Sequence, residues 1–222
     1  MNLKRTIVAG LFTVTTIMSM ATPALATEGS KDGKGATSKA HVKLTPSDDS
    51  TDPTKPIEPS EPGGETGNKG PLTIDNVTPL EFSEHKLEGS TQEYTTTSKN
   101  PNVQITDNRG EGQGWTLQVT SSEFVDTKEE TKVLKGAVVT LPTGQIKTTE
   151  GNVSPAPTAR EVSLDTNQGT SETLITAAEK MGMGTWVDLF DANQVKVSVP
   201  GGNFAGEYTA SLNWTLLDAP TV

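Results

Sequence analysis

The side chains best suited to chemistry are few. Histidine occurs twice, as His41 and His85, and cysteine is absent. The two histidines stand in unrelated polar surroundings, and no nucleophile-elbow motif supplies the serine of a Ser-His-Asp arrangement. Neither His-Glu-x-x-His nor a phosphate-binding loop is present. Asp48, Asp49 and Asp52 carry carboxylates of the kind calcium takes, but they lie in a polar, proline-rich run where a solvated charge cluster is the simpler reading. Gly182 and Gly184, in Met181-Gly-Met-Gly-Thr-Trp186, lack the strand-to-helix context of a phosphate loop and are expected to permit tight packing beside Trp186. No acid–base pair falls in a plausible motif. The sequence therefore predicts no enzyme, no catalytic residue, no metal and no cofactor.

The informative residues are aromatic. In Gly114-Trp-Thr-Leu-Gln-Val119, Trp115, Leu117 and Val119 share one parity, and Thr116, Gln118 and Thr120 the other. In Tyr208-Thr-Ala-Ser-Leu-Asn-Trp-Thr-Leu-Leu-Asp-Ala-Pro220, Tyr208, Ala210, Leu212, Trp214 and Leu216 face one way. Thr209, Ser211, Asn213 and Thr215 face the other. Side chains alternate across a strand, so both stretches read as half-buried β-strands. Two Trp-Thr-Leu strands so far apart in sequence are best placed in one sheet system over one core. A tryptophan in a core buries roughly 150–250 Å²; one facing outward would stack on the C–H face of a sugar. Both readings stand at this level.

The elements that position these strands are β throughout. Ala40–Thr45 alternates as a short strand. Pro53, Pro56, Pro59 and Pro62 then recur at every third residue among acidic and hydroxyl side chains. That is the polyproline II period, and residues 46–69 are expected to form an extended, solvated excursion that can be shortened at little cost. Strands follow at Leu72–Val77, Leu80–Ser83, Asn102–Thr106, Val133–Leu141, Gln145–Thr148, Glu161–Asp165, Thr185–Phe190 and Gln194–Val199. Asn102–Thr106 is expected to pair with the Trp115 strand as a hairpin, and Gln145–Thr148 to pair back across Pro142-Thr-Gly144. Ser171–Met181 leans to strand. The fold class is all-β: a β-sandwich of about ten mostly antiparallel strands, with a Pro-rich extended insertion near the N-terminus.

The N-terminus reads as an export signal: Lys4 and Arg5, an apolar stretch from Ile7 to Met20, and the small-residue pattern Ala24-Leu-Ala26. Cleavage is expected after Ala26. The apolar stretch is shorter than the ~20 residues of a membrane span and is interrupted by Thr13, Thr15 and Thr16. Residues 1–26 are thus signal peptide, 27–39 a disordered mature start, and 40–222 one β domain containing the 46–69 excursion. The lack of cysteine excludes lipid attachment and disulfides. The absence of a sorting motif or C-terminal apolar segment predicts no membrane anchor in the mature form. Removing Lys4 and Arg5 leaves 16 basic against 28 acidic residues, a net charge of −12. With no basic cluster, nucleic acid is excluded as a partner.

The two Trp-x-Leu stretches, the His41-Val-Lys-Leu-Thr-Pro46 opening and Met181-Gly-Met-Gly-Thr-Trp186 together resemble the WxL-domain surface proteins of Gram-positive bacteria. The resemblance covers most of the mature chain. It departs at Asn213, where the family pattern has Thr, a change of polar chemistry on an outward position. The resemblance implies an extracellular protein at the cell surface, attached non-covalently to the cell wall, with peptidoglycan as ligand. It makes Trp115, Thr116, Leu117, Tyr208, Leu212, Asn213, Trp214, Thr215 and Leu216 the motif, whether as core or as contact. The alternative is a protein-interaction module that assembles with other cell-surface proteins. A negative chain cannot use charge attraction to anionic wall polymers. The contact is therefore expected through outward Thr, Gln and Asn side chains, or through a basic partner.

Overall fold

The computed structural model describes residues 27–220, so the expected signal, with Ala24 and Ala26, lies outside the described residues. The chain falls into two units, Met1–Leu44 and Thr45–Val222. In the first, β1 (Glu28–Gly29) and β2 (Ala36–Thr37) pair across a turn, within a stretch whose composition predicts disorder. The strand expected at Ala40–Thr45 is not formed. Its alternation finds no ladder partner among the described residues, and Val42 and Leu44 are 77% and 88% exposed.

The second unit is all strand and loop. In chain order it contains β3 (Leu72–Val77), β4 (Gln92–Thr95), β5 (Asn102–Asp107), β6 (Trp115–Ser121), β7 (Val125–Asp126), β8 (Val138–Leu141) and β9 (Gln145–Thr148). There follow β10 (Thr158–Ala159), β11 (Val162–Asp165), β12 (Glu172–Ala177), β13 (Gly184–Leu189), β14 (Lys196–Val199), β15 (Tyr208–Thr209) and β16 (Leu212–Leu217). They build three four-stranded sheets, β3-β5-β13-β9, β10-β12-β6-β16 and β11-β8-β14-β4, and the pair β15-β7. Every pairing is antiparallel. The expected all-β, sandwich-like class is what the chain adopts. Ser171–Met181 is strand, as its threonines favour, over Glu172–Ala177.

One core joins the three sheets. Val103, Ile105 and Trp186 enter it from the first, Trp115, Leu117, Val119 and Ile175 from the second, and Val139, Leu141, Val162, Leu164 and Val197 from the third. These are the alternate residues of each strand, so period-two patterning places them there.

Several expected pairings fail, each for a local reason. β5 and β6 are not a hairpin. Arg109 Nε and Nη2 donate to the two oxygens of Asp107 at 2.9 and 2.8 Å, and this pair turns the chain from one sheet into another. β9 pairs with β13 and not with β8, because the turn at Pro142-Thr-Gly144 packs on Leu189. Val133–Leu141 shortens to β8, with Val133 bridging Val125 instead. Leu80–Ser83 is a loop held by the Thr97 N–H donating to Glu81 O.

Residues 46–69 are largely exposed, but they are not a free spacer. They precede β3, and residues 55–59 lie as a strap bonded to the outer face of β3-β5-β13-β9. That face is polar, yet Asp75, Asn76, Asn102, Gln104, Thr106 and Thr185 are all buried. Extended polyproline-type backbone makes no internal hydrogen bonds, so its polar groups need partners when covered. Alternate side chains of one chain segment supply them. Gln104 Oε1 accepts from the Ile57 N–H at 2.8 Å, and Gln104 Nε2 donates to Lys55 O at 3.1 Å. Asn102 Nδ2 donates to Glu58 O at 2.9 Å, and Asn100 Nδ2 to Pro59 O at 3.2 Å. Lys147 pairs with Glu58 at 2.6 Å. Beneath, Asp75 accepts from Thr73, Gln104 and Thr106. Burial raises the Asp75 pKa, and those three hydrogen bonds oppose the rise.

Deleting residues 53–64 therefore lowers stability, by about 4 kcal/mol or more at about 1 kcal/mol for each of the four side-chain hydrogen bonds lost. Thermal unfolding followed by circular dichroism measures it; an unchanged melting temperature would show that the strap adds nothing.

Candidate functional site

The two Trp-Thr-Leu strands are neighbours. β16 pairs with β6 so that Trp214 faces Val119, Thr215 faces Gln118 and Leu216 faces Leu117. Trp115, Leu117, Leu212, Trp214 and Leu216 point to the core side, as their parity predicts. The two indoles differ in depth. Trp115 is wholly buried on a central strand, with Ala177 of β12 beside it. Trp214 lies on an edge strand and is half-buried against the core. Tyr208 is not part of the same ladder. The chain breaks at Ala210-Ser211, where Ser122 Oγ accepts from the Ser211 N–H, and Tyr208 pairs with Asp126 of β7.

Trp115 is positioned from another sheet's approach loop. Its Nε1 donates to Gly182 O at 3.0 Å. A Cβ on Gly182 would lie 2.8 Å from that nitrogen and 2.5 Å from the Ala177 Cβ, so no larger residue fits beside the ring. Gly182 also has φ +72. The tight packing expected at this glycine is thus against Trp115, not Trp186; Trp186 Nε1 donates to Met183 O at 2.9 Å. Both indoles are satisfied by the same Met-Gly-Met-Gly turn.

The opposite face of this sheet carries the polar row. Thr116 is wholly buried. Gln118, Thr120 and Thr173 are half-exposed, and Asn213 and Thr215 exposed. Gln118 Oε1 accepts from Ser171 Oγ at 3.3 Å. These accessible side chains are neutral hydroxyls and amides spread over β12, β6 and β16, a surface that gives and takes hydrogen bonds without a charge.

Three of the candidates for other chemistry, His85, Asp48 and Asp52, have structural partners. His85 stacks on Tyr94 at 3.8 Å and sits 2.6 Å from Phe82 O. Asp48 accepts from Ser50, and Asp52 pairs with Lys69 at 3.0 Å. Among the described residues no group of three or more His, Asp or Glu side chains is placed to hold a metal ion. The residue that sequence reading missed is Asp188. It projects to the core side of β13, between Val103 and Ile146, and neither of its oxygens completes a hydrogen bond with a described residue. Burial pushes its pKa up to about 7; the nearby Gly144 amide opposes the rise without meeting hydrogen-bond geometry. A lone Asp among the apolar residues Trp186, Val187, Leu189 and Phe190 was the available signal.

The profile of the family described as WxL domain surface cell wall-binding matches residues 31–220. The chain belongs to that family, and so to proteins of the cell surface associated with the cell wall. Comparison with curated proteins and with solved structures gives no match.

The difference in depth separates two substitutions. Trp115→Ala is expected to cost on the order of 3–5 kcal/mol, as for a fully buried large side chain, and Trp214→Ala distinctly less. Chemical denaturation of both variants checks this; equal losses would mean that the edge strand is as tightly held as the centre.

Asp188 makes stability depend on pH. Its folded pKa of about 7 stands above the ordinary 3.8, so the folded state holds a proton that the unfolded state releases. The stabilising contribution is complete below the unfolded value and is lost as pH rises to about 7, a total on the order of 4 kcal/mol. Asp75, also raised, adds in the same sense. Asp188→Asn should gain on the native protein steadily between pH 4 and 8 in urea unfolding, and a gain independent of pH would contradict the assignment.

Proposed function

We propose that this protein is exported, cleaved after Ala26, and held on the outer face of the wall by non-covalent binding to peptidoglycan, without a catalytic step. The family match supports wall attachment. The observation that carries the choice of ligand is the neutral row Gln118, Thr120, Asn213, Thr215 and Thr173. A mature charge of −12 opposes binding to an anionic wall by charge. Hydroxyls and amides aligned across three strands offer hydrogen bonds to glycan hydroxyls and peptide amides instead. Each contributes about 1 kcal/mol net, so useful affinity needs several in parallel, which a flat sheet face provides.

Salt distinguishes this mode from its competitor. At physiological ionic strength the Debye length is about 8 Å, and added salt screens the repulsion between an acidic protein and an anionic wall. Binding to protein-stripped peptidoglycan should hold or strengthen as NaCl is raised. Sequencing of the bound form should begin at Thr27. Binding confined to whole wall that still carries its proteins, and abolished by salt, is the signature of a basic protein partner and would overturn the peptidoglycan reading.

A further inference from the structure

We propose that β16 is an acceptor edge, and that residues 40–45 of a second copy of this chain add to it as a further strand, so that copies assemble head to tail. The inference is independent of the ligand on the wall. It starts from the six outer strands of the three large sheets, β3, β9, β10, β16, β11 and β4. An outer strand carries unmet N–H and C=O groups, and proteins guard them with brevity, charge, a bulge or a cover. Five of the six are guarded. β3 is bulged at Asp75 and covered, with the Val77 N–H donating to Gly64 O at 2.8 Å and the Thr66 N–H to Asp75 O at 2.9 Å. β10 is two residues long. β4, β9 and β11 have four residues each and carry Glu93, Lys147 and Asp165.

β16 has none of these guards. Its six residues, Leu212–Leu217, include no charge and no proline, and their register with β6 is unbroken. On its other side no described residue joins its ladder. Leu212, Trp214 and Leu216 are half-buried, so an added strand would cover apolar surface together with the backbone groups. In strand addition the main chain supplies the affinity and alternate side chains supply the specificity.

The same chain carries a matching strand without a sheet. Ala40-His-Val-Lys-Leu-Thr45 alternates, forms no ladder with the described residues of its own chain, and leaves Val42 and Leu44 bare. Laid beside β16, Val42 and Leu44 extend the apolar row of Trp214 and Leu216, while His41 and Lys43 fall on the side of Asn213 and Thr215. Charge favours the same pairing. Residues 27–44 carry Lys31, Lys34, Lys39 and Lys43 against Glu28 and Asp32, a net +2, which leaves −14 on residues 45–222. Opposite charges bring the donor of one copy to the body of another. Donor and acceptor are different patches, so the contact is heterologous, and a copy that gives a strand can still receive one.

The test uses the full mature chain in the absence of wall. Its mass by sedimentation equilibrium should rise with concentration. Val42→Asp combined with Leu44→Asp should hold it at one copy with an unchanged melting temperature. The native chain has no cysteine, so introduced ones report the contact. Lys43→Cys mixed with Thr215→Cys should form a two-copy disulfide at least about tenfold faster than Lys43→Cys mixed with Ser163→Cys on β11, because sulfurs bridge only where Cα atoms come within about 7 Å. A mass of one copy at every concentration, or cross-linking no faster than with Ser163→Cys, overturns the proposal. So does assembly that persists in the doubly substituted chain. A chain carrying both Lys43→Cys and Thr215→Cys that closes a disulfide within itself at high dilution would place the strand on its own β16, and exchange between copies would be wrong.

Discussion

The closure of the fold hangs on the Trp115 indole, a large apolar ring with one donor that must be met. Its burial requires the inner faces of the sheets to close around it, and its Nε1–H requires a carbonyl at one point on that wall. Gly182 O is that carbonyl. The bond ties the start of β6 to the turn before β13, which belongs to a different sheet. The same turn is fixed by the Gly182 N–H donating to Pro155 O, the Met183 N–H donating to Ser154 Oγ and the Lys180 N–H donating to Gly112 O. Three loops thus meet at one ring. Hydrophobic burial supplies the energy, and the single donor supplies the register.

The β3-β5-β13-β9 sheet solves a different problem. Both of its faces are covered, one by the core and one by the strap, yet only one is apolar. Two aspartates on this sheet show the two outcomes of burying a carboxylate. Asp75 faces the strap and is met by three side-chain donors; Asp188 faces the core and is met by none. Burial raises both pKa values, that of Asp188 to about 7. Desolvation disfavours the charged form, and hydrogen bonds to that form restore it.

Facing was legible in the sequence because alternation is a local property. The parities of Trp115-Thr-Leu and Leu212-Asn-Trp-Thr-Leu216 place their side chains on the correct sides of one sheet. Pairing was not legible, because a ladder partner can come from anywhere in the chain. That is why β5 and β6 look like a hairpin and are not, and why β9 joins β13. Depth was not legible either. Trp115 and Trp214 are spelled alike, but a central strand buries its ring from both sides and an edge strand does not. The proline period announced an extended conformation correctly in kind, while what the extended chain rests on was written elsewhere, in Asn100, Asn102 and Gln104.

The strap carries a consequence in time. Lys55 and Ile57 are bonded to a residue 49 and 47 positions later, and the sheet beneath them is incomplete until β13, near residue 184, has been made. During synthesis the strap is therefore present long before its seat. Until β5 arrives, Lys55 O and the Ile57 N–H keep their water, and the proline-rich cover waits as a hydrated thread. Closing a loop of that length costs entropy, so this face is sealed only once β5 is in place. A thread rich in proline and charge is well suited to that delay, since it does not collapse upon itself.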